Sequence, residues 1–218
     1  MPPIPKKYLE RMQAAAPTVD GGSAGLRPRM TPENLLAWGV MRADTFCKAN
    51  DLPQMKVIQI EPKDWRVHAC AYWRGGICKI QVNQCARPAS GEHDRRNWNW
   101  PGSVTDRTPY GVVAHELGHH ADWYKSPPNT RGRYSGSLSR SVFNQSGENP
   151  LTSYSPTHEE WFAEMMRLFI TNHALLHLIR PRTWGLLNQW FEPVSDLDWV
   201  KAMGPGVPAR ILETAVRR

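Results

Sequence analysis

Thr108-Pro109-Tyr110-Gly111-Val112-Val113-Ala114-His115-Glu116-Leu117-Gly118-His119-His120-Ala121-Asp122-Trp123-Tyr124-Lys125 is the stretch on which the reading of this chain turns. Thr108 offers an N-cap and Pro109 a first-turn residue with a helix-compatible φ, so a helix is predicted to run to about Lys125. Positions i and i+4 of a helix differ by only about 40° around the axis, so His115 and His119 leave from one face and can reach one ion. Two imidazoles and a third protein ligand leave zinc one position for water, whose pKa the metal lowers toward roughly 7. Glu116, beside the pair, is placed to take that water's proton as general base. Gly118 opens space on the same turn for close packing or for a ligand.

A third ligand has to come from elsewhere, because Lys125 stands where a further histidine, six residues after His119, would be sought, and Asp122 where its supporting glycine would be. Downstream, residues 159–171 carry Trp161, Met165 and Leu168 at helical spacing with Phe162, Met166 and Phe169 beside them, which reads as a well-buried helix. Glu160 and Glu164 are spaced i, i+4 on it, and Arg167 continues the line. Acids on so apolar a helix point toward something positive; the plainer alternative is a solvated face with an acid–Arg pair. A downstream glutamate is therefore the candidate third ligand.

Around these two helices the 218 residues fit one domain of ordinary size, 30–192, between a Pro/Gly/Ala-rich arm, 1–29, and a C-terminal extension, 193–218. Thr31 and Pro32 open a first helix expected to reach about Asn50. Residues 55–60 read as a strand, and 66–73 with 77–83 read as a hairpin around Arg74-Gly75-Gly76. Long loops are expected over 86–108 and 126–155, with further helix over 173–179 and 181–191. The fold class is α+β, a small twisted sheet beside the metal-binding helix. If strand 77–83 is an exposed edge, an extended peptide can add to it above the metal, which makes peptide the expected substrate class.

The balance of 27 Lys+Arg against 20 Asp+Glu, +7, is spread along the chain, so a basic, Trp-rich nucleic-acid-binding regulator is the lesser alternative, with Arg95, Arg96, Trp98 and Trp100 its best local case. No stretch approaches the roughly 20 apolar residues that span a bilayer, and the N-terminus lacks a secretion signal's apolar core. An intracellular, cytoplasmic protein without membrane contact, acting as a monomer, is expected. Cys47, Cys70, Cys78 and Cys85 contain no Cys-x-x-Cys pair and are read as mostly reduced thiols, although a Cys70–Cys78 disulfide across the hairpin is conceivable under oxidant. His120, pointing about 100° from the ligand face, is read as hydrogen-bonded rather than ligating, His158 as outside the site, and His68 with the cysteines as no familiar zinc module.

His115-Glu116-Leu117-Gly118-His119, followed by Leu151-Thr152-Ser153-Tyr154 and Glu160-Trp161-Phe162-Ala163-Glu164-Met165-Met166-Arg167-Leu168, resembles the catalytic domain of the anthrax lethal factor family of gluzincins over about residues 110–190. The resemblance implies a minimal zincin-like domain holding one zinc ion, with Glu160 as third ligand and Glu164 as an outer carboxylate orienting a ligand. It further implies that Tyr154 supplies a phenol near the open position, for the oxyanion or the leaving amine. The interval between Tyr154 and Glu160 is one residue shorter than the family pattern, and neither a toxin role nor its substrate carries over. Zinc-dependent hydrolysis of peptide bonds is the expected function, a non-catalytic zinc protein the other alternative.

Overall fold

The computed structural model describes residues 31–60, 71–85, 102, 104, 106–131, 137–152 and 157–194. Among them the chain is mixed α+β, with five α-helices and a three-stranded sheet. Helix α1, Pro32–Ala49, starts as its sequence dictates: the Thr31 side chain accepts the Asn34 N–H at 3.2 Å and proline occupies the first turn. Leu35, Trp38, Gly39, Arg42, Ala43 and Phe46 line its buried face at helical spacing. They pack on α2, Pro109–Lys125, the helix that carries His115 and His119, where Trp38 stacks on Tyr110 at 3.8 Å between ring centroids.

Strands β1, Lys56–Gln59, β2, Ala71–Arg74, and β3, Ile77–Ile80, form a sheet in the order β1-β3-β2, with β1 parallel and β2 antiparallel to β3. Gly75 and Gly76 make the two-residue hairpin turn with φ of 57° and 83°, values that side chains resist and twisted hairpins need. Cys78 and Ile80 are fully buried, and Trp73 lies opposite Cys78 on the helix-facing side. The expected exposed edge at 77–83 is corrected: β3 is the central strand, its backbone groups paired on both sides, so among the described residues the edges are β1 and β2. The sequence pattern shows which residues face the core but not which strand lies in the middle, because the parallel β1–β3 pairing is a long-range choice.

Helix α3, Leu138–Ser146, lies inside the stretch expected to be loop. Ser137 caps it, Gly147 ends it at φ 59°, and only Leu138, Ser139, Val142 and Ser146 are buried, so its apolar signal is two residues one turn apart. Helix α4, His158–Ile179, is nearly all buried from Trp161 onward and breaks at Asn172, in keeping with separate helical segments up to 171 and from 173. There the Asn172 carboxamide accepts the Leu175 N–H at 3.2 Å and donates to the Gly102 carbonyl at 3.0 Å. Helix α5, Pro181–Leu187, is shorter than the expected 181–191; the Glu148 carboxylate closes its first turn by accepting from Arg182 N, Thr183 N and the Thr183 hydroxyl. Cys47, Cys78 and Cys85 are buried, and Cys78 is paired in register with Trp73. No helix of the described residues is long and apolar enough to cross a membrane. The N-terminal arm, the C-terminal extension from 195, His68, Cys70 and the Arg95–Trp100 cluster lie outside the described residues.

Candidate metal centre

Where α2 and α4 cross, Gly118 faces Ala163 and Met166. A Cβ on Gly118 would sit 2.8 Å from the Ala163 Cα, so the glycine serves close packing and brings two turns of α2 against two turns of α4. His115 and His119 thereby face Glu160 and Glu164. His115 Nε2 lies 3.2 Å from Glu160 Oε2 and His119 Nε2 lies 3.7 Å from Glu160 Oε1. Bonds of about 2.0–2.1 Å in tetrahedral array set ligand atoms roughly 3.3 Å apart. The ligand atoms of His115, His119 and Glu160 all fall within 4.8 Å of one another, so these three residues can hold one metal ion.

The remaining carboxylate is engaged behind the group. Glu164 Oε1 accepts from His115 Nδ1–H at 2.9 Å and Arg167 Nε at 3.2 Å; its Oε2 accepts from the Thr152 hydroxyl at 3.0 Å and Arg167 Nη2 at 3.2 Å. Donation from Nδ1 leaves His115 Nε2 as the nitrogen facing Glu160. The side chains of His115 and Glu164 are 10% exposed, against 21% for His119 and 27% for Glu160, so the group is closed on the Glu164 side and open on the other.

Electrostatically the cluster favours a positive charge. Burial alone lowers the pKa of His115, yet hydrogen bonds to Glu160 and Glu164 reverse this and push it up to about 10. Burial and the neighbouring His115 push His119 down to about 4. Burial works against ionised Glu164 and Glu160 as well, but Arg167 and His115 hold Glu164 well below the usual carboxylate range, and His115 and His119 hold Glu160 below it. Two carboxylates that stay ionised in a buried pocket attract a cation as they attract the His115 proton.

Glu116 is buried at 6% exposure, and its charge acts on His115 in the raising direction. His120 is turned from the group, as its position on the helix predicts: its Nε2–H donates to the Pro53 carbonyl at 2.7 Å and its Nδ1 accepts from Trp73 Nε1–H at 3.1 Å. Burial lowers its pKa, in keeping with this neutral tautomer, which anchors α2 to the sheet. His158 pairs with the adjacent Glu159. Tyr154 lies outside the described residues.

Two polar residues near the centre have roles that the sequence did not assign. Thr152 contributes the fourth hydrogen bond to Glu164, a contact across sequence that no local pattern announces. Asp106 organises the start of α2: its carboxylate accepts from Thr108 N, the Thr108 hydroxyl and Gly102 N, so the Thr108 hydroxyl is turned to Asp106 and makes no cap bond of its own. The signal for it was an Asp two residues before a helix-start Thr, a common turn arrangement. No family model, curated protein or solved structure matches the chain.

Proposed function

We propose that the chain is a zinc-dependent metallopeptidase of the zincin type, with the gluzincin ligand set His115, His119 and Glu160, as its resemblance to the anthrax lethal factor catalytic domain implies. The observation that carries this reading is the convergence of those three residues from α2 and α4, with Glu164 fixing the His115 tautomer. Among the described residues the group has three members, His120 being engaged with Pro53 and Trp73, which fits a site with a free position better than a closed structural one. Zinc held there supplies Lewis acidity and makes water a nucleophile at neutral pH.

The chain's own residues then divide the work. Glu116 Oε takes a proton from the attacking water and returns it to the leaving amine nitrogen. Glu164 keeps the His115 Nδ1–H oriented, and Tyr154 is assigned, through the resemblance, the phenol that meets the developing oxyanion. Strand β2, an edge among the described residues and held to α2 by the Trp73–His120 hydrogen bond, offers an extended peptide its pairing surface. Mass-spectrometric cleavage of a diverse peptide library by zinc-loaded protein tests the reading. Cleavage at defined sites, lost on chelation and restored by zinc, is expected; binding of zinc without cleavage favours a non-catalytic zinc protein instead.

A further inference from the structure

Glu164 and Glu160 are chemically identical carboxylates one helical turn apart on the same face, both within reach of His115. What separates them is the imidazole nitrogen each faces, Nδ1 for Glu164 and Nε2 for Glu160, and the hydrogen bonding that holds Glu164 there. An ionised carboxylate offers about four acceptor sites, and on Glu164 each oxygen carries two donors: His115 Nδ1–H and Arg167 Nε on one, the Thr152 hydroxyl and Arg167 Nη2 on the other. No acceptor direction is left for a metal. Arg167, 1% exposed, also donates to the Val104 carbonyl, which ties the segment leading into α2 to the same carboxylate.

We propose that Thr152 and Arg167 are positioning residues that lock Glu164 out of the metal's ligand set and so define a three-ligand centre whose His115 ring is held in one orientation. The inference rests on the metallopeptidase reading for its metal but concerns only how this chain divides two equivalent glutamates. Release of the Glu164 oxygen held by Thr152 would let the carboxylate rotate and loosen the His115 ring.

Thr152→Val keeps the shape and removes the hydroxyl; Thr152→Ser keeps the hydroxyl and removes a methyl group. Zinc affinity by chelator competition and the visible absorption of the cobalt-substituted full-length protein are compared for these two, Arg167→Lys and wild type, with the melting temperature of each metal-free protein alongside. Thr152→Val is expected to bind zinc about tenfold more weakly, within the range lost when outer partners of a ligand are removed, and to show a cobalt spectrum altered in band position and intensity. Thr152→Ser is expected to match wild type in both. Equal affinity and an unchanged spectrum in Thr152→Val, or equal losses in Val and Ser, overturn the positioning role. Failure of the wild type to bind zinc or cobalt at all would instead overturn the metal reading beneath it. Arg167→Lys cannot form the two-pronged contact, and if folded is expected to shift the cobalt spectrum in the same sense as Thr152→Val.

Discussion

Gly118→Ala adds one methyl group at the point where α2 and α4 touch. Its Cβ would stand 2.8 Å from the Ala163 Cα, 3.0 Å from the Met166 Cβ and 3.2 Å from the Ala163 carbonyl oxygen, so helix backbone rather than the end of a pliable side chain has to move. Restoring the first contact to the 3.4 Å of ordinary packing separates the helices by about 0.6 Å, against the roughly 0.2 Å that metal–ligand distances tolerate. His119 is the next residue along α2 and Glu160 lies nearly one turn before Ala163, so the two ligands separate with their backbones. Overpacking costs about 1–3 kcal/mol, and alanine in place of helical glycine returns about 1 kcal/mol. The metal-free variant should therefore lose up to roughly 2 kcal/mol of stability while its zinc affinity falls at least about tenfold. Gly185→Ala, in α5 with nothing within 4 Å of the added Cβ, is the control and should be neutral or slightly stabilising. Thermal melts and chelator competition on both proteins check this. Zinc binding by Gly118→Ala as tight as wild type, with a melting temperature no lower than that of Gly185→Ala, would refute the close-crossing argument.

Three further outcomes are expected. His120→Ala should leave zinc affinity within a few-fold of wild type while lowering the melting temperature, since it breaks two part-buried hydrogen bonds; a large loss of affinity in chelator competition would make His120 part of the ligand set. Glu160→Ala should weaken zinc binding strongly, because it removes a carboxylate that faces both histidines, and retained affinity in the same competition assay would exclude it as a ligand. Burial, only partly offset by Arg167, Thr108 and Gly102, pushes Asp106 up to about 6 from 3.8, so the folded state binds this proton more tightly than the unfolded state and Asp106 subtracts stability as pH rises from about 4 to 6. The unfolding free energies of wild type and Asp106→Asn should then shift in the variant's favour by up to roughly 3 kcal/mol between pH 4 and pH 7; a constant difference across that window would contradict the assignment.

Local signals made much of this architecture legible. Thr31-Pro32 and Thr108-Pro109 marked both helix starts, Gly75-Gly76 marked the hairpin, and the i, i+4 spacing of His115/His119 and Glu160/Glu164 placed each pair on one helical face. Separation of Glu160 from Glu164 was legible only in part: the i, i+3 spacing of Glu164 and Arg167 offered the acid–Arg pair, whereas the Thr152 hydroxyl reaches the same carboxylate from outside the helix, which no local pattern announces. Strand order was hidden for a related reason: alternation reports which face is buried, whereas β3 becomes central only through its parallel pairing with β1. Helix α3 was missed because a nine-residue helix that packs mainly through Leu138 and Val142 resembles the Ser/Asn-rich loop around it, although Ser137 and Gly147 marked its ends.

The most direct test of the metallopeptidase account is turnover of the best-cleaved library peptide by wild type and Glu116→Gln, with the zinc content of both proteins measured in the same samples. One zinc per chain in each, with turnover about 10²–10⁴-fold lower in the variant, is the predicted result, since the substitution removes the proton acceptor and leaves the ligands intact. Equal turnover by a zinc-loaded Glu116→Gln would contradict it.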